Sequence, residues 1–193
     1  MSHEPVERFR PTSGRILGVL ALALALAVVV IGVVDRESGF PPPVVAAAVI
    51  FGILVWAAML RPKVWVTEQD LVMRNMLHTV CIPLAAIEQV VVRQVLAVSA
   101  GEKRFVSPAI GRNWRQAFRS NRAARQPTAL ESYPVFVEER IAQLAEDARS
   151  KSGVTLLSDE QLVLAEGVRR TWAWPEILAL AVASVAFVVA LVV

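Results

Sequence analysis

The stretch ILGVLALALALAVVVIGVV, Ile16–Val34, decides the fold of this chain, because no side chain in it is charged. At a helical rise of ~1.5 Å per residue it reaches about 28 Å, close to the ~30 Å hydrocarbon core of a bilayer. Two further runs share its character, VVAAAVIFGILVWAAML at Val44–Leu60 and ILALAVASVAFVVALVV at Ile177–Val193. A helix satisfies its own backbone hydrogen bonds, which lipid cannot do, so each run is expected to span a membrane as a helix. The expected fold class is therefore an α+β membrane protein, with three transmembrane helices and a soluble insert between the second and third.

The charge distribution sharpens that division. Of the 20 Lys and Arg, 16 fall within residues 61–170, as do 12 of the 17 Asp and Glu. An insert of that size holds one small domain with accessory helices, not two large ones. Arg8, Arg10 and Arg15 precede the first run, and Val33-Val34-Asp35-Arg36 ends it without a small-residue cleavage pattern, so it reads as a retained span rather than a signal peptide. Lys and Arg accumulate on the cytoplasmic side of membrane segments. Arg8, Arg10 and Arg15, Arg61 and Lys63, and Arg169 and Arg170 flank the spans on one side, while the Asp35–Pro43 loop carries only Arg36. The expectation is a plasma-membrane protein with its N-terminus and insert cytoplasmic and its C-terminus outside. Trp56, Trp172 and Trp174 sit near inner span ends, and Ala48/Gly52 and Ala179/Ala183 are small-residue pairs that permit close helix packing or arise from Ala-rich composition alone.

After Arg61-Pro62 the hydrophobic period becomes two. Val64 and Val66, Leu71 and Met73, and Val80 and Ile82 mark short half-buried strands, divided by Glu68-Gln69-Asp70 and Asn75-Met76-Leu77. Pro83–Ile87 reads as one helical turn, Val90–Val92 as a strand, and Val95–Ser99 with Lys103–Ser107 as a hairpin across Ala100-Gly101-Glu102. A closing helix is expected at 133–151, started by Ser132-Tyr133-Pro134, with Val137, Ile141, Leu144 and Ala148 on its apolar face. Glu146–Arg149 and Asp147–Lys151 stand at favourable ion-pair spacings, and Gly153 ends the helix. Ser158-Asp159-Glu160-Gln161 has capping-box form and opens a connector within 153–171, although Gln161–Leu164 also suits a strand.

The segments Arg61-Pro-Lys-Val-Trp-Val-Thr67, Leu71-Val-Met-Arg-Asn75 and Cys81-Ile-Pro-Leu-Ala-Ala-Ile-Glu-Gln-Val90 occur in an order that resembles bacterial PH-like domains of the low-molecular-weight protein antigen type, found in actinobacterial membrane proteins. The resemblance covers about residues 61–110. Leu84 stands where that family often has Trp, and Asp70 where it often has Gly. It implies a bent antiparallel sheet closed by a C-terminal helix, in a binding or scaffolding module that brings no catalytic residues with it. The expected organisation is an N-terminal tail and helical hairpin over 1–60, a PH-like domain over 61–152, a connector over 153–171 and a third span over 172–193.

Arg112, Arg115, Arg119 and Arg122 recur at spacings of three and four in a basic segment, 112–125, with Trp114 and Phe118 beside them. On a helix the four arginines share one face. Such a surface suits the anionic inner leaflet or a protein partner, and the bland alternative is a solvated segment. Nucleic acid is not expected, since the patch is short and Glu131, Glu138 and Glu139 lie nearby. Cys81, the only cysteine, reads as strand filler, and His78 as a turn or strand-edge residue. No nucleophile elbow, phosphate-cradling glycine loop or spaced acid pair is present, so neither catalysis nor a cofactor is expected. The leading expectation is a non-enzymatic membrane-anchored adaptor. The competing one is an accessory structural subunit of a larger transporter or cell-envelope enzyme complex.

Overall fold

The computed structural model describes residues 5–11, 14–35, 39–111 and 129–192. Among these the elements in chain order are β1 (Glu7–Phe9), α1 (Arg15–Val34), α2 (Pro42–Val55), β2 (Lys63–Val66), β3 (Asp70–Arg74), β4 (His78–Pro83), β5 (Gln89–Val92), β6 (Leu96–Ala100), β7 (Lys103–Ser107), α3 (Ala129–Ser152), α4 (Asp159–Glu166), β8 (Arg169–Trp172) and α5 (Trp174–Val192). They form two units, Met1–Ser13 with Pro62–Thr171, and Gly14–Arg61 with Trp172–Val193. The chain is α+β, and among the described residues three helical stretches, Arg15–Val34, Pro42–Leu60 and Trp174–Val192, are long and apolar enough to cross a membrane.

In the first unit the sheets are antiparallel where the register is defined, one ordered β1-β2-β3-β4-β8 and the other β5-β6-β7. Alternation sorts their residues: Phe9, Val64, Val66, Leu71, Met73, Val80 and Ile82 face the core with Val90, Val92, Leu96 and Val98 of the second sheet. Asn75, in the turn after β3, donates from Nδ2 to the Val106 carbonyl of β7 at 2.9 Å and so joins the two sheets. Gly101 opens the two-residue turn between β6 and β7 at φ 58°, the left-handed geometry that favours glycine in such hairpins.

α3 lies across the core through Val137, Ile141 and Ala145, with Leu144 and Ala148 packed at its margin. It begins before the expected Ser132-Tyr133-Pro134 start and carries Pro134 inside, where the ring forgoes one helical hydrogen bond. Tertiary contact holds this turn: the Tyr133 hydroxyl accepts from the Arg10 backbone N–H at 2.6 Å. The Arg140 Nε donates to Glu7 at 2.9 Å, so β1, which the sequence pattern assigns to a polar tail, is stitched to α3 as well as to β2. The spacing-based Glu146–Arg149 pair is displaced, since Arg149 Nη1 donates instead to the Ile87 carbonyl at 2.6 Å.

The turn Leu84–Ala86 and Ile87 are buried between elements. Gln161, fully buried in α4, donates from Nε2 to the carbonyls of Ala85 (3.1 Å) and Ile87 (3.3 Å), and its Oε1 accepts from Leu157 N–H at 2.6 Å. That last bond holds Leu157 at φ 61°, an uncommon conformation for a residue with a side chain. Ser158 caps α4, its hydroxyl accepting from Gln161 N–H at 3.2 Å. The connector thus resolves as a helix over Gln161–Leu164, followed by β8.

In the second unit α2 packs against both α1 and α5, while α1 and α5 hardly meet. Gly52 is buried, and a Cβ placed there would stand 3.6 Å from Ala25 and Leu22 of α1. α2 continues through a π turn, Trp56–Leu60, closed by Arg61 N–H on the Trp56 carbonyl at 2.9 Å. α5 starts three residues before the apolar run and takes in Glu176 in its first turn. There Arg61 Nε donates to Glu176 Oε1 at 2.7 Å, with the two side chains only 5% and 10% exposed.

Replacing Gln161 with Ala leaves two buried carbonyls without this donor and is expected to cost about 1–3 kcal/mol. A lowered unfolding midpoint of the full chain in mild detergent, followed by tryptophan fluorescence, checks it. Glu176→Ala removes the carboxylate from a buried guanidinium and is expected to lower stability, whereas Arg61→Leu with Glu176→Leu recovers part of that loss; the same unfolding midpoint measures both.

Candidate functional site: the outer face of the five-stranded sheet

The six side chains singled out by sequence, Arg112, Trp114, Arg115, Phe118, Arg119 and Arg122, lie outside the described residues. The described residues build a different basic surface. With one side of the five-stranded sheet committed to the core, the register sets Arg8 beside Trp65, Trp65 beside Val72, and Val72 beside Cys81 on the other side. One step along, Lys63, Arg74 and Thr79 form a second cross-strand row. Asp70 shares this face, and Arg169 of β8 reaches it, donating to Asp70 Oδ2 at 2.7 Å.

The face therefore carries Arg8, Lys63, Arg74 and Arg169 against one acid, Asp70, around a partly covered Trp65. Arg8, Lys63 and Arg169 are exposed. Because Arg169 is 58% exposed, its bond to Asp70 contributes about 0–1 kcal/mol and serves mainly to set β8 beside the face. Val72 is only 3% exposed although it lies outside the core cluster, so the centre of this face is also covered.

His78, the first residue of β4, marks the edge. Its Nε2 lies 3.2 Å from Asn75 Nδ2 and its Nδ1 lies 3.3 Å from Arg170 Nη2. A neutral imidazole accepts at one nitrogen only, so these two donors compete for one lone pair. Among the described residues no group of three or more His, Cys, Asp and Glu is placed to hold a metal ion.

Cys81 reports on this surface electrostatically. Burial raises its thiol above the ordinary range, Asp70 raises it further, and Arg169 works against both. The thiolate is the reactive form, so at neutral pH this cysteine is held mainly in its unreactive state.

Sequence reasoning identified Arg8, Lys63, Arg169 and Arg170 only as flanks of spans on one side, and did not place them with Arg74 on one sheet face. The signal available for β1 was Arg8-Phe9-Arg10, one apolar residue between two basic ones, too short a period to count. The chain matches no protein-family model, no curated protein and no solved structure.

Asp70→Asn removes the acid and releases Arg169 beside the sulfur, both of which lower the thiol's pKa. Alkylation of Cys81 at a fixed, mildly alkaline pH is expected to quicken severalfold, and Arg169→Gln to slow it. Stopped-time maleimide labelling of the full chain, read by mass spectrometry, measures both.

Proposed function

We propose that this protein is a non-enzymatic, membrane-anchored adaptor whose PH-like module engages the anionic inner leaflet, a protein partner, or both. The observation that carries the reading is the excess of basic side chains on the outer sheet face, grouped around Trp65. Each Lys or Arg near an anionic leaflet contributes about 1 kcal/mol, and an indole suits the headgroup zone. The chain passes between its two units three times, after Ser13, Arg61 and Thr171. Covalent attachment at several points keeps a module close to its anchor, so modest attraction suffices to orient it.

The PH-like part rests on element order. It is supported by strands β2 to β4, the Leu84–Ala86 turn, strands β5 to β7 and the amphipathic α3 following one another along the chain, with β1 and β8 added at the edges of the first sheet. The cytoplasmic placement of this module rests on the Arg and Lys residues flanking the apolar helices. In this reading Arg112, Arg115, Arg119 and Arg122, with Trp114 and Phe118, extend the contact surface.

The accessory-subunit reading draws on small residues as an outward packing surface. Gly52, central to that surface, is covered by Leu22 and Ala25 within its own unit, which favours the adaptor.

The test uses the full chain in nanodiscs of zwitterionic or anionic phospholipid. Labelling of Cys81 is expected to be slower in the anionic discs at low salt and to recover near 1 M salt, where the Debye length is ~3 Å. Arg8→Gln, Lys63→Gln and Arg74→Gln together should abolish the difference. Replacing Arg112, Arg115, Arg119 and Arg122 by Gln tests the second segment separately. Equal labelling in both lipids removes the leaflet from the proposal and leaves the protein partner.

A further inference from the structure

Because α2 packs on both α1 and α5 while those two hardly meet, the helical unit is open along one side. The opening is a cavity of about 590 Å³, with Leu22, Ala25 and Val29 of α1 on one wall, Ala48, Val49 and Gly52 along its floor, and Ala179 of α5 opposite. Trp56, Pro175 and Glu176 close one end. The lining is otherwise apolar, and the carboxylate at that end is already engaged by Arg61 at 2.7 Å.

Length selects the occupant. Along α2 the lining runs from Ala48 to Trp56, about 12 Å at ~1.5 Å per residue. Along α1 it runs from Leu22 to Val29, about 10 Å by the same rise. A partner's membrane helix would require a seam along most of the ~30 Å hydrocarbon core, whereas neither α1 nor α2 lines this groove for more than about 12 Å. Its polar end lies at the Trp56 end of α2 and the first turn of α5, one edge of the apolar zone, and its apolar end lies at Val29 and Ala48, past the midpoints of α1 and α2. The fit is to a flexible apolar chain entering from one leaflet.

We propose that this groove holds one acyl chain of a membrane phospholipid, with the polar part of that lipid beside the Arg61–Glu176 pair. Small side chains at Ala48 and Ala179 leave the width for it, and the chain fills space that α1 and α5 leave unpacked. The pair at the mouth is a neutral combination of one cation and one anion. Occupancy therefore depends on the chain rather than on headgroup charge, and is insensitive to salt. This inference goes beyond the leaflet contact of the sheet face and rests only on the three helices crossing a bilayer.

The probe is phosphatidylethanolamine or phosphatidylglycerol with a photoactivatable diazirine in one acyl chain, present as a trace in nanodiscs holding the full protein. Adducts are expected to concentrate on Val29, Val49 and Ile53, severalfold above exposed apolar residues such as Leu20 and Val185. The pattern should be the same for both headgroups and at high salt. Ala48→Leu with Ala179→Leu should reduce groove adducts about fivefold and leave those at Leu20 and Val185 unchanged. Ala48→Val alone, a smaller change, should give a partial loss if the double variant does not fold.

Adducts spread evenly over exposed apolar residues, or undiminished in both variants, overturn the proposal. So do photo-adducts joining two copies of the chain through groove residues, which assign the groove to a second copy. Loss of the lipid-dependent labelling of Cys81 with groove adducts retained would sink the leaflet reading alone.

Discussion

Donors from two helices converge on one backbone carbonyl, that of Ile87, and the placement of both helices follows from it. The chain leaves β4 through a buried turn whose carbonyls have no strand opposite them. A buried carbonyl without a donor forfeits the hydrogen bond it had in water, so donors must come from elsewhere. Arg149 from the end of α3 and Gln161 from α4 supply them at 2.6 and 3.3 Å, and Gln161 also serves Ala85 at 3.1 Å. These bonds fix how α3 crosses the core and seat α4 against the turn. With α4 seated, only Gly167 and Val168 separate it from β8, so β8 has little freedom but to lie beside β4.

Arginine use divides by chemistry. Arg61, Arg140, Arg149 and Arg169 each donate to a defined carboxylate or carbonyl, where the planar guanidinium fork keeps its geometry at low entropic cost. Arg8 and Lys63 instead lie exposed on the outer sheet face. The same composition thus provides internal ties and an external field, and only position separates the roles. The buried Arg61–Glu176 pair is the costly case, since desolvating both ions offsets much of their attraction. What it secures is the meeting of the end of α2 with the start of α5.

Much of the fold was legible in the chain. Runs without charge marked three long helices to within a few residues, because a helix able to cross a hydrocarbon core must be apolar along its length. Period-two alternation marked β2 to β4, a β-rich run marked β5, a hairpin turn marked β6 and β7, and a serine three residues before Gln161 marked the cap of α4, because these signals are local. β1 and β8 escaped notice because each is short, three and four residues, and exists only by pairing with a neighbour distant in sequence. The start of α3 was misplaced because Pro134 reads locally as a beginning, while Tyr133 is held from afar by Arg10. The outer basic face was illegible for the same reason. Arg8, Lys63, Arg74 and Arg169 share it only once β1 and β8, from the two ends of the unit, join opposite edges of one sheet.

The sequence by itself determined the division into apolar helices and a sheet-bearing insert, the order of the central strands and the core face of α3. Those features follow from how each residue meets water or lipid within its own turn or strand. Tertiary structure alone decided that the two ends of the insert join one sheet, that Arg149 serves a carbonyl rather than Glu146, and that Arg61 finds Glu176. Each of those outcomes depends on a hydrogen bond or ion pair between residues 62 to 115 positions apart along the chain, or on strand pairing across a similar gap, and no local pattern encodes such a partner.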